Sequence, residues 1–186
     1  MKKALLIIDV QNDYFENGAY PLPNAAMAAK NIQSVLARFR AEGDLVVFIQ
    51  HINMKEDAAF FKFGTVGTEI YKAIEPIEGE KVIIKHTPNS FKDTELHSFL
   101  QLHKIDQLVI AGMMTQHCVD TTVRAAFDLG YSNILLYDCC VAKDLVFNGE
   151  TIPADIVQST FMASLGRSFA NVISTAEYLG TSTSLK

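Results

Sequence analysis

The sequence predicts an α/β fold built on a mainly parallel sheet of about six strands. Short aliphatic and β-branched runs alternate with helical patterns along the whole chain, which favours crossover connections over hairpins. The chain has 186 residues, 49% of them apolar, enough for one good core and too few for two domains of ordinary size. Residues 1–180 therefore read as a single domain, and the polar residues 181–186 as a disordered tail.

The elements follow in order. Ala4 to Ile8 is an apolar strand, and Ala28, Ile32, Val35, Leu36 and Phe39 then recur at helical spacing up to Gly43. Leu45 to Gln50 is the second strand. The segment from His51 to Gly67 is long, aromatic and aperiodic, as functional loops in compact domains tend to be. Its Phe60, Phe61 and Phe63 either line or cover a pocket, or pack under the loop or at a subunit interface. Lys81 to Ile84 is the third strand, and Leu96, Phe99, Leu100 and His103 mark the next buried helical stripe. Leu108 to Ala111 precedes a helix with Val119, Thr122, Val123 and Ala126 on one face, closed by Gly130. Asn133 to Tyr137 is the fifth strand. Pairs from Ile156/Val157 to Ser168/Phe169 step by four through the last long helix, and Val172 to Ser174 completes the sheet.

Composition excludes several classes of partner. A formal charge of -5 without a basic stripe leaves no source for non-specific attraction to phosphates, so nucleic acid is not expected. No apolar run reaches membrane-spanning length and the amino terminus does not read as a signal peptide, so a cytoplasmic protein with no membrane partner is expected. Three cysteines, with Cys139 and Cys140 adjacent, do not form a disulfide framework. There is no glycine-rich dinucleotide or phosphate loop, no His-x-x-x-His and no paired Cys-x-x-Cys, so no cofactor or metal is expected.

In a parallel sheet the residues just past the carboxyl ends of the strands gather along one edge, where ligands bind. Here they are Asp9, His51, Lys85, Met113 to Cys118 and Asp138. Asp9 and Lys85 each end an apolar strand, where an unpaired charge costs several kcal/mol to desolvate, so the two are expected to pair. That pair alone reads as structural. With Cys118 on the same edge it becomes a candidate nucleophile group: a thiol, a carboxylate to take its proton and a cation to offset the carboxylate. Cys118 falls at the start of a predicted helix, whose free N–H groups and dipole favour a thiolate. His117 is expected roughly 100° around that helix, as a solvent or packing residue. His97 and His103 lie on the preceding helix, and Cys139 and Cys140 read as small residues after a strand.

Three stretches carry a family resemblance. They are the run from Ala4 through Asp9-Val10-Gln11-Asn12-Asp13-Tyr14, Lys85 followed by Asn89-Ser90-Phe91, and Gly112-x-x-Thr115-x-x-Cys118-Val119. In this order, and over nearly the whole chain, they resemble the isochorismatase-like superfamily of cysteine hydrolases. The resemblance implies a three-layer α/β/α sandwich, an Asp9, Lys85 and Cys118 triad, and a non-proline cis peptide near Met113 and Met114. It further implies an oxyanion hole from the N–H groups of Met114 and Cys118, and a substrate pocket shaped by Gln11, Tyr14, Phe15, His51, Phe60 and Thr115. Self-association into a homo-oligomer is also implied.

Two details bear on the substrate. Nicotinamidases of the superfamily carry Asp-x-His and a further histidine after the second strand as metal ligands, and this chain has His51-Ile52-Asn53 there. That argues against nicotinamide. Members that cleave the isochorismate vinyl ether can dispense with the thiol, so Cys118 favours an amidase-type hydrolase of a small carboxamide or related C–N bond, through a thioester. The alternatives are a vinyl-ether hydrolase using Asp9 as acid, and a non-catalytic binding protein on the same fold.

Overall fold

Six parallel strands form the central sheet of the computed structural model, which describes residues 1–180; the expected tail at 181–186 lies outside the described residues. In chain order the first five are β1 (Lys3–Ile8), β2 (Leu45–His51), β3 (Lys81–Lys85), β4 (Gln107–Met113) and β5 (Ser132–Val141). After a small hairpin, β6 (Leu145–Phe147) and β7 (Glu150–Ile152), the sixth sheet strand is β8 (Asn171–Ile173). Their spatial order is β3-β2-β1-β4-β5-β8. The chain thus winds outward from β1 in one direction and outward from β4 in the other. At such a reversal the connections leave opposite faces, and in open α/β sheets ligands bind beyond the carboxyl ends of the two middle strands.

Burial explains why β1 is apolar without alternation. Leu5 and Ile7 face a core with Ile32, Val35, Leu36 and Phe39 of α1 (Ala25–Glu42) and, at its margin, Tyr178 of α5 (Thr175–Leu179). Ala4, Leu6 and Ile8 face a second core with Leu96 and Leu100 of α2 (Leu96–Leu102), Val123 and Ala126 of α3 (Asp120–Asp128) and Leu165 of α4 (Ala154–Ser168). A strand covered on both faces has no solvent side to mark with polar residues. The result is the three-layer α/β/α sandwich. No helix among the described residues is long and apolar enough to cross a membrane.

The structure corrects the sequence reading in two places after β4. Residues 145–152 form an antiparallel hairpin that was not expected, turning on Asn148 and Gly149, both with positive φ. Asn-Gly between short β-prone runs is the usual sequence of such a two-residue turn. The second correction is the length of β5, which continues past Tyr137 to Val141 and takes in Asp138, Cys139 and Cys140. The pairing with β4 jumps from Ile110 opposite Leu135 to Gly112 opposite Cys140, so β5 bulges outward. The bulge turns Asp138 away from the sheet edge, and its Oδ1 accepts hydrogen bonds from Thr175 N and Oγ1, each at 2.8 Å.

Close approach of β1 and β4 depends on Gly112. Its φ is +136°, and a Cβ there would lie 2.1 Å from the Ile8 carbonyl oxygen. We expect Gly112→Ala to destabilise the fold by on the order of 3 kcal/mol, through forced separation of the two central strands. A urea midpoint unchanged from the wild type would contradict this.

Candidate active site

Three strand ends deliver the charged part of the site. Asp9 follows β1 with φ 50°, its backbone N–H bonded to the Ile49 carbonyl at 3.0 Å. His51 and Lys85 are the last residues of β2 and β3. Lys85 Nζ reaches across β2 to sit 2.7 Å from Asp9 Oδ2, 3.2 Å from His51 Nδ1 and 3.1 Å from the Thr87 carbonyl oxygen. Both members of the ion pair are fully buried. The fourth contributor comes after β4, where a π-helical turn, Thr115–Val119, carries Cys118. Its Sγ is 3.9 Å from His51 Nδ1 and 3.6 Å from His117 Nδ1, and within 4.8 Å of an Asp9 carboxylate oxygen. Sulfur, carboxylate and ammonium therefore meet at the reversal of strand order.

Burial and mutual charge set the protonation states. Burial works to raise the Asp9 pKa, but Lys85 and His51 outweigh it and hold the carboxyl below its ordinary value. Burial likewise opposes the Lys85 charge, and the adjoining Asp9 and Cys118 more than offset that, raising Lys85 above its usual value. The Cys118 thiol is pushed strongly upward, first by burial and then by the Asp9 charge, with Lys85 only partly compensating. The expectation of a thiolate favoured by a helix N-terminus is thus corrected. A sulfur only 2% exposed and facing a carboxylate keeps its proton. Asp9 Oδ2 is taken by Lys85, whereas its buried Oδ1 accepts no hydrogen bond among the described residues.

The cysteine turn is braced from three sides. The Met113–Met114 peptide is cis, and the Met114 carbonyl accepts from His117 N at 3.1 Å and Val119 N at 3.2 Å. Thr115 Oγ1 donates to Gln158 Oε1 of α4 at 2.6 Å, while Gln158 Nε2 donates to the Tyr137 and Cys140 carbonyls of the β5 bulge at 3.0 and 3.3 Å. Gln158 also borders an open cleft of about 640 Å³ between Pro23, Asn24, Lys143 and Asp155.

Of the residues expected around the pocket, His51 joins the charged cluster. Gln11 is occupied, since its amide spans His51 N, the His51 carbonyl and the Thr68 carbonyl, tying β2 to the following loop. Tyr14 lies in the core against Phe61 at 4.6 Å, and Phe15 stacks on Tyr71 at 3.6 Å. Phe60 is half-buried on Tyr20, Phe61 is buried 5.8 Å from the His51 ring, and Phe63 points to solvent. The aromatic loop is held by Asp13, which accepts from Phe61 N at 2.6 Å and Ala19 N at 3.1 Å. The sequence reading gave no role to Asp13 or Gln158; a second aspartate four residues after Asp9 was the available signal for the first.

His117 departs from expectation in a specific way. The residue is exposed, but its Nδ1 lies 3.6 Å from the neighbouring sulfur within the π-helical turn Thr115–Val119. His97 and His103 are engaged locally, with Tyr131 Oη and the Phe99 carbonyl. Cys139 and Cys140 are buried in β5, and Cys139 Sγ lies 3.2 Å from Thr175 Oγ1. Asp9, His51 and Cys118 are near enough to one another to suggest a metal site, but the Lys85 ammonium is seated 2.7 Å from Asp9 and 3.2 Å from His51, where its charge opposes a second cation.

A family profile for the isochorismatase domain matches residues 3–177. The chain belongs to the isochorismatase family. It is 42% identical over 179 residues to the isochorismatase family protein YddQ of Bacillus subtilis, covering 96% of this chain and 99% of that one. A crystal structure from Oleispira antarctica matches with a TM-score of 0.93 at 42% identity, covering 96% of each chain. At greater distance, the ureidoacrylate amidohydrolase RutB of Variovorax paradoxus is 28% identical over 191 residues, covering 80% of this chain and 75% of its own. The protein is an isochorismatase-family hydrolase.

Proposed function

We propose that this isochorismatase-family hydrolase cleaves a small carboxamide or related C–N bond through a thioester on Cys118. One observation carries the reading. A protonated, buried thiol lies beside a carboxylate that an ammonium keeps ionised and that has one oxygen without a donor. As the sulfur attacks the substrate carbonyl, Asp9 takes its proton, so charge never has to rest on an isolated buried thiolate. Asp9 then passes that proton to the departing amine, and water hydrolyses the thioester. Lys85 holds Asp9 in its basic form, and the N–H groups of Met114 and Cys118 receive the oxyanion, each such donor typically worth about a hundredfold in rate or more. His51 lies beside both the carboxylate and the sulfur, at 3.8 and 3.9 Å, where it would orient the substrate. The relationship to an amidohydrolase supports this choice of bond.

A panel of small primary amides and ureido acids, followed by ammonia release and by intact mass of acid-quenched protein, tests it. An acyl adduct on the peptide containing Cys118 is the expected result. Turnover of isochorismate with no adduct and no amide cleaved would reject the proposal in favour of vinyl-ether hydrolysis.

A further inference from the structure

We infer that His117 is the base of the second half-reaction, its Nδ1 taking a proton from the water that attacks the thioester. The inference rests on the acyl-enzyme reading above. It starts from the two groups that reach the sulfur from different environments: Asp9 is fully buried, whereas His117 is exposed and still places Nδ1 3.6 Å from Sγ. Water enters from the exposed side, so the imidazole is the first base it meets beside the thioester.

Basicity points the same way. Asp9 is tied to Lys85 and held below the ordinary carboxylate range, which suits a group that receives a proton only as the sulfur attacks and hands it to the amine. Deprotonating water asks for a stronger base near neutrality. The titratable groups that act on His117 are Lys85, His51 and Asp9, with the Cys118 thiol alongside. Burial, then Lys85 and His51, lower its pKa, so the ring is neutral at pH 7 and, in the tautomer protonated at Nε2, can accept at Nδ1.

The balance closes within the site. Water gives one proton to His117 Nδ1 as its oxygen bonds to the thioester carbon. The tetrahedral oxyanion collapses, the C–S bond breaks with its electron pair on sulfur, and the imidazolium proton returns to that sulfur. The acid departs, and a neutral thiol and neutral imidazole remain.

The test uses p-nitrophenyl acetate with the full-length wild type, His117→Gln and His117→Ala, and Cys118→Ala as blank. Acylation is read as the p-nitrophenolate burst and deacylation as the steady rate. The expected result is a retained burst near one equivalent, a steady rate lowered about 10²-fold in both histidine variants, and acetyl-Cys118 accumulating by mass. Added imidazole should partly restore His117→Ala. The fall of the wild-type steady rate toward acid pH should disappear in His117→Gln. A steady rate and pH profile equal to wild type would overturn the inference and leave the acyl-enzyme reading intact, as would loss of the burst itself, which would place His117 in acylation. No burst in the wild type, with hydrolysis equal to Cys118→Ala, would reject both.

Discussion

Replacing Cys118 with alanine is expected to lower amide turnover by on the order of 10⁴-fold or more, the scale seen when a covalent route is removed and only binding and oxyanion contacts remain. The same change should leave the fold standing. The thiol is neutral and contributes a single buried heavy atom, so the Asp9–Lys85 pair keeps its partners and the loss of packing is about 1 kcal/mol. Steady-state ammonia release and a urea melt on the same preparation separate the two effects. Activity within tenfold of wild type would remove the sulfur from the mechanism, whatever the melt shows.

Lys85→Met is expected to cost about 3 to 5 kcal/mol, because it leaves Asp9 charged and unpaired in a dry site. The pH dependence follows from the signs. The lowered Asp9 pKa contributes stability that is present above the ordinary value of 3.8 and lost as pH falls through the folded value. The raised Lys85 pKa contributes stability fully present below the ordinary 10.5 and lost as pH rises through its own folded value. In Lys85→Met the buried Asp9 loses its first counter-charge and keeps only His51 at 3.8 Å, so desolvation pushes its carboxyl up. The gap between the two urea curves should therefore be smallest near pH 3 and widen as pH rises to about 7. Adding Asp9→Asn to Lys85→Met should recover part of the loss, since the orphaned charge goes with it. A gap that stays constant with pH would show that lost packing, rather than lost pairing, governs the variant.

Much of this molecule can be read from its strands. Ala4 to Ile8 is apolar on both faces because helices cover the sheet on either side of it, and that burial makes the charges at Asp9 and Lys85 conspicuous enough to suggest their pairing. What could not be read depends on local departures of backbone or side chain. The His117 ring reaches the sulfur through the direction its own side chain takes, which a rotation rule for backbone positions does not specify. Asp138 ends a strand on paper but points to Thr175, because β5 bulges against β4. Gln158 lies in a helix far along the chain, and nothing in its neighbourhood signals a brace on Thr115. The hairpin is the exception: Asn148-Gly149 is a readable turn signal that the sequence reading does not use.

The retained proton on Cys118 has a chemical consequence outside catalysis. Peroxide and mixed-disulfide partners consume thiolate, and a buried sulfur held neutral offers them almost none. Between encounters with substrate, the residue on which the proposed chemistry depends is thus shielded from oxidation by the same burial that makes it wait for Asp9.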